Sequence, residues 1–493
     1  MPAFLSIINS RCKCCIYTSL AAIALGLLLV ACLTNQPPPP VHITVDSGTT
    51  LQTLKGWEVT ARLWEYDKKH DRYNGDWLAH ADEIFSRIVN DYGINRVRLQ
   101  ALSGTENPVD YWSKFVSGEI GYKAFKNHFY EKINDNDSPE DTNLSGIQFS
   151  SLDYHIQNIV LPLKKKLEEK GERLFINFCY VDFNWTDLQG PLSHANEPQE
   201  YAEFILANFL YMQNHYGITP DSLEIILEPD NTAHWRGRQI GEAIVAVGNA
   251  LEAHGFHPQI IAPSTAHLEQ APDYMREMLA VKGVAERLTT LSYHRYGAVN
   301  HVGSKRREVL QEIAEIAAAH GLETAMLEHV DGDIDELFED LLIAQNSSWQ
   351  QYAIATNYKD NGAYLLMADQ HDDGSFSLRP AERTTLLGSV FQSARFGAKR
   401  LQTTSTDSEV EALAFTNTDQ STALHIYSRD AKPRRLRLTG VPAGRYRLQW
   451  TTMTGVLDQT NYLPEEIGIP QSGTIELSLP GKGLLSMVSA DSD

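Results

Sequence analysis

Two glutamates have the type and placement that chemistry requires. Glu228 lies in Leu227-Glu228-Pro229-Asp230-Asn231 and Glu328 in Leu327-Glu328-His329, and each closes a short apolar run. One hundred residues separate them. A carboxylic acid and a carboxylate held about 5–5.5 Å apart can protonate the oxygen of a glycosidic bond and attack its anomeric carbon. Metal chemistry has no comparable pattern. Asp331, Asp333 and Asp335 alternate like a calcium loop, but Glu336 stands where the turn glycine belongs and no glutamate closes the loop. There is no His-rich metal spacing and no Gly-x-Ser-x-Gly elbow. The reading is therefore of a site with no metal and no cofactor.

The elements that must position the pair alternate between short apolar runs and long amphipathic stretches. Strands are expected at 56–60, 94–99, 173–179, 223–227, 259–262, 288–293, 324–327 and 363–367. Between them, helical spacing covers 77–92, 152–167, 201–216, 240–251, a stretch around 274, 309–319 and 337–354, and a last helix runs from Ala381 to Arg395. Asp76 is placed to cap the first helix and Gly93 to stop it. Eight strand–helix units imply an α/β protein with a (β/α)8 TIM barrel. No Gly-x-Gly-x-x-Gly opens a helix, which removes the dinucleotide reason for an open sheet. Three units of roughly 31 residues each separate strand four from strand seven, close to the spacing of the two glutamates. Both would then stand at the C-terminal face of the barrel, where loops carry chemistry. After Gly397 the texture changes to short alternating strands, a C-terminal antiparallel β-sandwich over 398–493.

With 42 Lys+Arg against 63 Asp+Glu, the 493-residue chain carries −21, which argues against a surface built for nucleic acid. Arg11 and Lys13 are the only charges before the fourteen-residue apolar run Leu20 to Leu33. That run is short of the ~20 residues of a membrane span and has the length of a signal-peptide core. It ends Leu29-Val30-Ala31-Cys32, which resembles the bacterial lipobox. Residues 1–31 are read as a lipoprotein signal peptide, Cys32 as the lipidated residue, and 32–41 with its four prolines as a stiff tether. An ordinary signal peptide cleaved nearby, or an uncleaved anchor, are the alternatives. The lipid reading implies a bacterial cell-envelope location and a membrane partner. Cys12, Cys14 and Cys15 leave with the signal, so Cys179 alone remains and no internal disulfide is expected.

At this point the chain resembles the clan A glycoside hydrolases, and among them glycoside hydrolase family 30. The clan's acid/base after strand four and nucleophile after strand seven correspond to Glu228 and Glu328. Arg98, in Val97-Arg98-Leu99, falls where the clan has an arginine near the nucleophile; His294 and Tyr296, in Tyr293-His294-Arg295-Tyr296, match its His-x-Tyr after strand six. Ile43 to Asp46 and Leu51 to Gly56 look like the family's opening, which passes through the sandwich, and Phe391 to Leu401 like the join into it. The resemblance implies a barrel over 42–397, with the 42–50 strand joining the sandwich, and a retaining glycosidase acting on oligo- or polysaccharide. Physically, Arg98 would favour an ionised Glu328, Tyr296 would donate to the same carboxylate, and Glu228 should sit in apolar or anionic surroundings that keep it protonated.

Three departures bear on substrate. Leu227 replaces the asparagine that contacts the sugar 2-hydroxyl, so Asn177 or Asn231 would have to supply that bond. The expected strand eight ends Met367-Ala368-Asp369-Gln370 where much of the clan has a tryptophan, and strand one gives Gly56-Trp57-Glu58 in place of a glycine-rich turn. Glu58 and Asp369 are read as binders of sugar hydroxyls, with pairing of Glu58 to Arg62 or Arg98, and capping of the following loop by Asp369, as the alternatives. Trp57, Trp64, Trp185 and Trp235 are candidates for stacking on sugar faces. A catalytically silent carbohydrate-binding surface lipoprotein on the same barrel is the competing reading, and a metal-dependent barrel hydrolase a third.

Overall fold

The computed structural model describes residues 39–371, 376–452, 455–456 and 463–490. The signal peptide, Cys32 and most of the proline tether lie outside the described residues.

Eight parallel strands close a barrel: Gly56–Thr60, Arg96–Leu102, Phe175–Val181, Ser222–Glu224, Gln259–His267, Leu288–Tyr296, Glu323–Glu328 and Asn346–Thr356. Trp349 makes the closure, in register with Met326 on one side and Trp57 on the other. The eighth strand is thus not the expected 363–367, and the expected helix 337–354 is corrected with it. The chain is helical only over Ile334–Glu339 and a wider turn to Ala344; Gln345 then takes a left-handed conformation (φ 56°) and ends it. Apolar spacing through Leu337, Leu341 and Trp349 runs across this break, and no glycine or proline marks it. Tyr364–Gln370 adds to the outside of the closing strand and carries the antiparallel Phe376–Pro380. The first helical stretch also differs in detail: it is a 3-10 turn at Asp76–His80 followed by Ala81–Asn90, and the Asp76 side chain makes no cap.

Val41–Thr53 belongs to the sandwich. It pairs antiparallel with Lys399–Ser405 and parallel with Arg434–Thr439, with Val41, Ile43 and Val45 turned into the core and His42, Thr44 and Asp46 outward. Each such apolar side chain contributes about 1.5–3 kcal/mol on burial. The two ends of the barrel segment are stitched together at the join, where Leu54 N donates to Ala398 O and Gly397 N to Leu54 O, both at 2.8 Å. Gly397 has φ +84°, a conformation other residues adopt at a cost. Leu413, Phe415, Tyr427 and Leu484 of the sandwich pack into the barrel's own hydrophobic cluster, so the two domains share apolar contact. No described helix is long and apolar enough to cross a membrane.

Between the second strand and the helix beginning at Ser150 lies a long insertion with two short helices, Tyr111–Val116 and Tyr122–Asn127. Its Trp112, Phe115, Phe125, Phe129 and Tyr130 form an aromatic cluster with Val181, Phe183 and Leu227. This roofs one side of the barrel mouth.

Candidate active site

Glu228 stands four residues beyond the fourth strand, on a segment still held between its neighbours: Leu227 N donates to Tyr180 O at 2.9 Å and Glu228 N to Ser264 O at 3.0 Å. Glu228 has φ 50° and ψ 59°, a left-handed conformation costing about 1–3 kcal/mol for a residue with a side chain. Glu328 ends the seventh strand. His294 and Tyr296 are two apart on the sixth strand and so share its inner face. The four meet at the mouth. His294 Nδ1 is 3.1 Å from Glu228 Oε1, and Tyr296 Oη donates to Glu328 Oε1 at 3.0 Å. Glu228, His294 and Glu328 each offer an atom within 4.8 Å of the others.

Arg98 lies beneath Glu328, fully buried. Its Nη2 donates to Glu328 Oε2, its Nη1 to Leu327 O at 3.2 Å and its Nε to Thr60 Oγ1 at 3.1 Å. Burial alone would push the guanidinium to lose its proton, but the charges of Glu328 and Glu224 outweigh it and hold Arg98 well above the usual arginine range. Two donors on two different oxygens suit an anionic Glu328. The metal-ligand geometry of Glu228, His294 and Glu328 is invisible as sequence spacing because the three come from three separate strand–loop units; Arg98 places a fixed positive charge against it.

Glu228 differs from expectation. Burial pushes its carboxyl up, but the hydrogen bonds from His294 and from Asn231 Nδ2 (2.9 Å to Oε2) outweigh that and hold it below the ordinary carboxylate value. His294 moves the other way: burial pushes it down, while the bond to Glu228 and the charge of Glu328 raise it further. Glu228 and His294 are therefore a coupled pair, the carboxyl lowered and the imidazole raised, in place of the apolar or anionic surroundings expected for Glu228.

Several expected sugar contacts are placed elsewhere. On the first strand Glu58 points inward but below the mouth, ion-paired with Arg96 rather than Arg62 or Arg98. Burial raises its carboxyl despite Arg96. Asn177 lies in the same buried layer, donating to Glu224 Oε2 at 2.9 Å and accepting from Ser222 at 2.8 Å, so it cannot reach a sugar. Trp57 points outward from the barrel, stacked on Phe391 at 4.4 Å with Nε1 bound to Ala394 O at 2.7 Å. Trp235 is 1% exposed and donates to Asp182 at 3.1 Å. Trp64 is also buried, 3% exposed. Asp369 sits outside the barrel on the added hairpin, paired with Arg379 at 2.7 Å. Asn231 and Trp185 remain. Asn231 is exposed beside Glu228, and Trp185 is 52% exposed, its ring under Lys126 Nζ at 4.4 Å and edge-on to Tyr130 at 5.5 Å. Leu227 is buried in the aromatic roof, which accounts for an apolar side chain at that position.

Tyr352 was missed, because its strand reads as helix. It lies on the closing strand, and its phenol is raised by burial and then by the charge of Glu328. Arg62 faces the same space; burial works against its charge, but Glu65, Tyr352, Tyr122 and Tyr130 hold it above the usual range. The alternation Tyr352–Ile354–Thr356 was the available strand signal.

Comparison with known proteins points one way. The model for the glycosyl hydrolase family 30 beta sandwich domain matches residues 397–484. Among solved structures, the catalytic domain of GH30 xylanase C from Talaromyces cellulolyticus is 14% identical, with a TM-score of 0.63 over 91% of this chain and 100% of that one. The endo-beta1,6-glucanase BT3312 is 14% identical, with a TM-score of 0.61 over 92% and 94%. A GH30 endoxylanase from Clostridium papyrosolvens C71 gives 14%, 0.60, 91% and 100%. No curated protein sequence matches the chain. The class is a TIM barrel with an attached β-sandwich. Within that class this chain is similar to glycoside hydrolase family 30, in the sequence of its sandwich and in the fold of both domains.

Proposed function

We propose that this chain is a retaining glycoside hydrolase that cleaves β-linked glycans by double displacement, with Glu328 as nucleophile and Glu228 as acid/base. The observation that carries the reading is the approach of Glu228 and Glu328, whose carboxylate oxygens lie within 4.8 Å of each other across the mouth. That spacing suits direct attack; an inverting pair stands about 6.5–9.5 Å apart to admit a water. The xylanases and the β-1,6-glucanase that share the fold support β-linked glycans as the substrate class.

The steps follow from the proton held between Glu228 and His294. Glu328, oriented by Arg98 and Tyr296, attacks the anomeric carbon. His294 hands the shared proton to Glu228, which passes it to the departing oxygen, leaving the pair with one negative charge. The pair then takes a proton from the water that displaces Glu328, which restores its starting state. Asn231, on Glu228 and exposed, is the polar group able to contact the 2-hydroxyl in place of Leu227. The lipobox-like end at Cys32 supports an envelope location, with the barrel tethered to a membrane.

The competing silent carbohydrate-binding protein draws on Leu227 before Glu228 and on Met367-Ala368-Asp369-Gln370 standing where much of the clan has a tryptophan. Turnover separates the two. Glycans incubated with the protein should give a first product of retained anomeric configuration by NMR, unaffected by chelators. Binding without cleavage would establish the competing reading, and loss of turnover with a chelator the metal-dependent one.

A further inference from the structure

Downstream of Glu328 the chain is held from two sides. His329 packs edge-on to Tyr296 at 5.2 Å, and its Nδ1 lies 2.6 Å from Glu336 Oε2. Glu336 also accepts from Asn300 Nδ2 at 3.1 Å, and its carbonyl from Arg295 Nη1 at 3.1 Å. His329 and Arg295 overcome burial and hold the Glu336 carboxyl down to about 2. Its neighbour Asp335 faces the other way, into the sandwich. Arg429 Nε donates to one oxygen of Asp335, and Tyr427 Oη to the other at 3.2 Å. Arg429 is fixed in turn by Glu411 at 2.9 Å and lies over the Tyr427 ring at 5.2 Å, while Phe338 packs on the same ring at 5.6 Å.

Resting on the reading of Glu328 as nucleophile, we infer that Arg429 and Tyr427 of the β-sandwich are positioning residues for the reaction, acting through Asp335, Glu336 and His329. The helix Ile334–Glu339 has six residues, too few to hold its shape or place by its own hydrogen bonds. Ile334, Leu337 and Phe338 are buried beneath it and Glu339 pairs with Arg295 and Arg306, while Asp335 ties it to the sandwich and Glu336 to the barrel mouth. Releasing the outer grip lets the inner one shift, and with it His329, the ring of Tyr296 and the carboxylate that Tyr296 orients. Misplacement of a reacting group by about 1 Å costs on the order of 100-fold in rate; a partial release at one of two contacts should cost less. The ion pair itself, half exposed at Asp335, adds little stability. Its role is geometric.

The test uses the full chain and a panel of 2,4-dinitrophenyl β-glycosides, taking the one the parent turns over fastest. Arg429→Gln should lower kcat about fivefold with KM unchanged and the melting temperature nearly so, and Arg429→Lys should recover most of the loss. Tyr427→Phe, which removes one hydroxyl and leaves the packing, should lower kcat about twofold. Glu336→Gln should lower kcat more, and adding Arg429→Gln to it should change nothing further. Parental kcat in both Arg429→Gln and Tyr427→Phe, a rise in KM alone, or losses that multiply in the double variant would overturn the inference. A parent that turns over none of the panel overturns the glycosidase reading instead, and the inference with it.

Discussion

His294 Nδ1 and Glu228 Oε1 are 3.1 Å apart, and the two groups shift in opposite directions: the histidine is raised and the carboxyl lowered. A buried pair of this kind titrates as a unit. The histidine's contribution to stability is complete below its unfolded value of 6.5 and is lost as pH rises through the higher folded value. The carboxyl's contribution is present above 4.5 and lost as pH falls through its lower folded value.

The activity profile should therefore have its alkaline limb above pH 6.5, where His294 gives up the proton that Glu228 must deliver. His294→Gln should lower kcat about tenfold or more for substrates with poor leaving groups and move that limb. It should also flatten the dependence of melting temperature on pH between 6 and 8. A His294→Gln profile superimposed on the parent's would exclude His294 as the proton reservoir.

Glu203 offers a second pH test away from the site. It is 4% exposed, and burial followed by the charges of Asp135, Glu200 and Glu106 raises its carboxyl to about 8. Because the folded value exceeds the unfolded 4.5, the fold holds a proton that the unfolded chain releases, and stability falls as pH rises through about 8. Glu203→Gln should raise the melting temperature at pH 9 by about 2 °C and leave it unchanged at pH 4. An equal change at both would show that its charge plays no part.

The aromatic residues divide by exposure. Trp185→Ala should raise KM about fivefold for oligosaccharides with kcat unchanged, as expected for a stacking contact of about 1 kcal/mol. Trp235→Ala should instead cost about 3–5 kcal/mol of stability, because its ring is enclosed beneath the loops. Kinetics identical to the parent in Trp185→Ala would remove it from the substrate path.

Membrane association should depend on Cys32. Cys32→Ser should move the protein from the membrane to the soluble fraction of cells, with loss of metabolic lipid labelling. Unchanged fractionation and labelling would contradict the lipid anchor.

What the sequence made legible followed physical periodicity. The first seven barrel strands are marked by apolar runs and turn residues, and their ends carry Glu228, His294, Tyr296 and Glu328 in order. The eighth strand opens polar and yet buried, with Ser347, Gln350 and Gln351 hydrogen-bonded inside the fold, so no apolar pattern announces its first half. Its misreading displaced Asp369 into the mouth and hid Tyr352. Trp57 and Trp235 were misplaced for a different reason: residue type predicts what a tryptophan can stack on, whereas the face of its strand or loop decides what it meets. The ionisation of Glu228 depends on a histidine 66 residues away, a contact only the closed barrel creates.

The most direct test is covalent. An activated 2-fluoro β-glycoside of the configuration the protein cleaves should trap the glycosyl-enzyme, and peptide mass mapping should place the sugar on Glu328, with no adduct formed by Glu328→Ala. Glu228→Ala should still label with a dinitrophenyl leaving group, and azide should restore part of its turnover. A label on any other residue, or a first product of inverted configuration, would contradict Glu328 as the nucleophile.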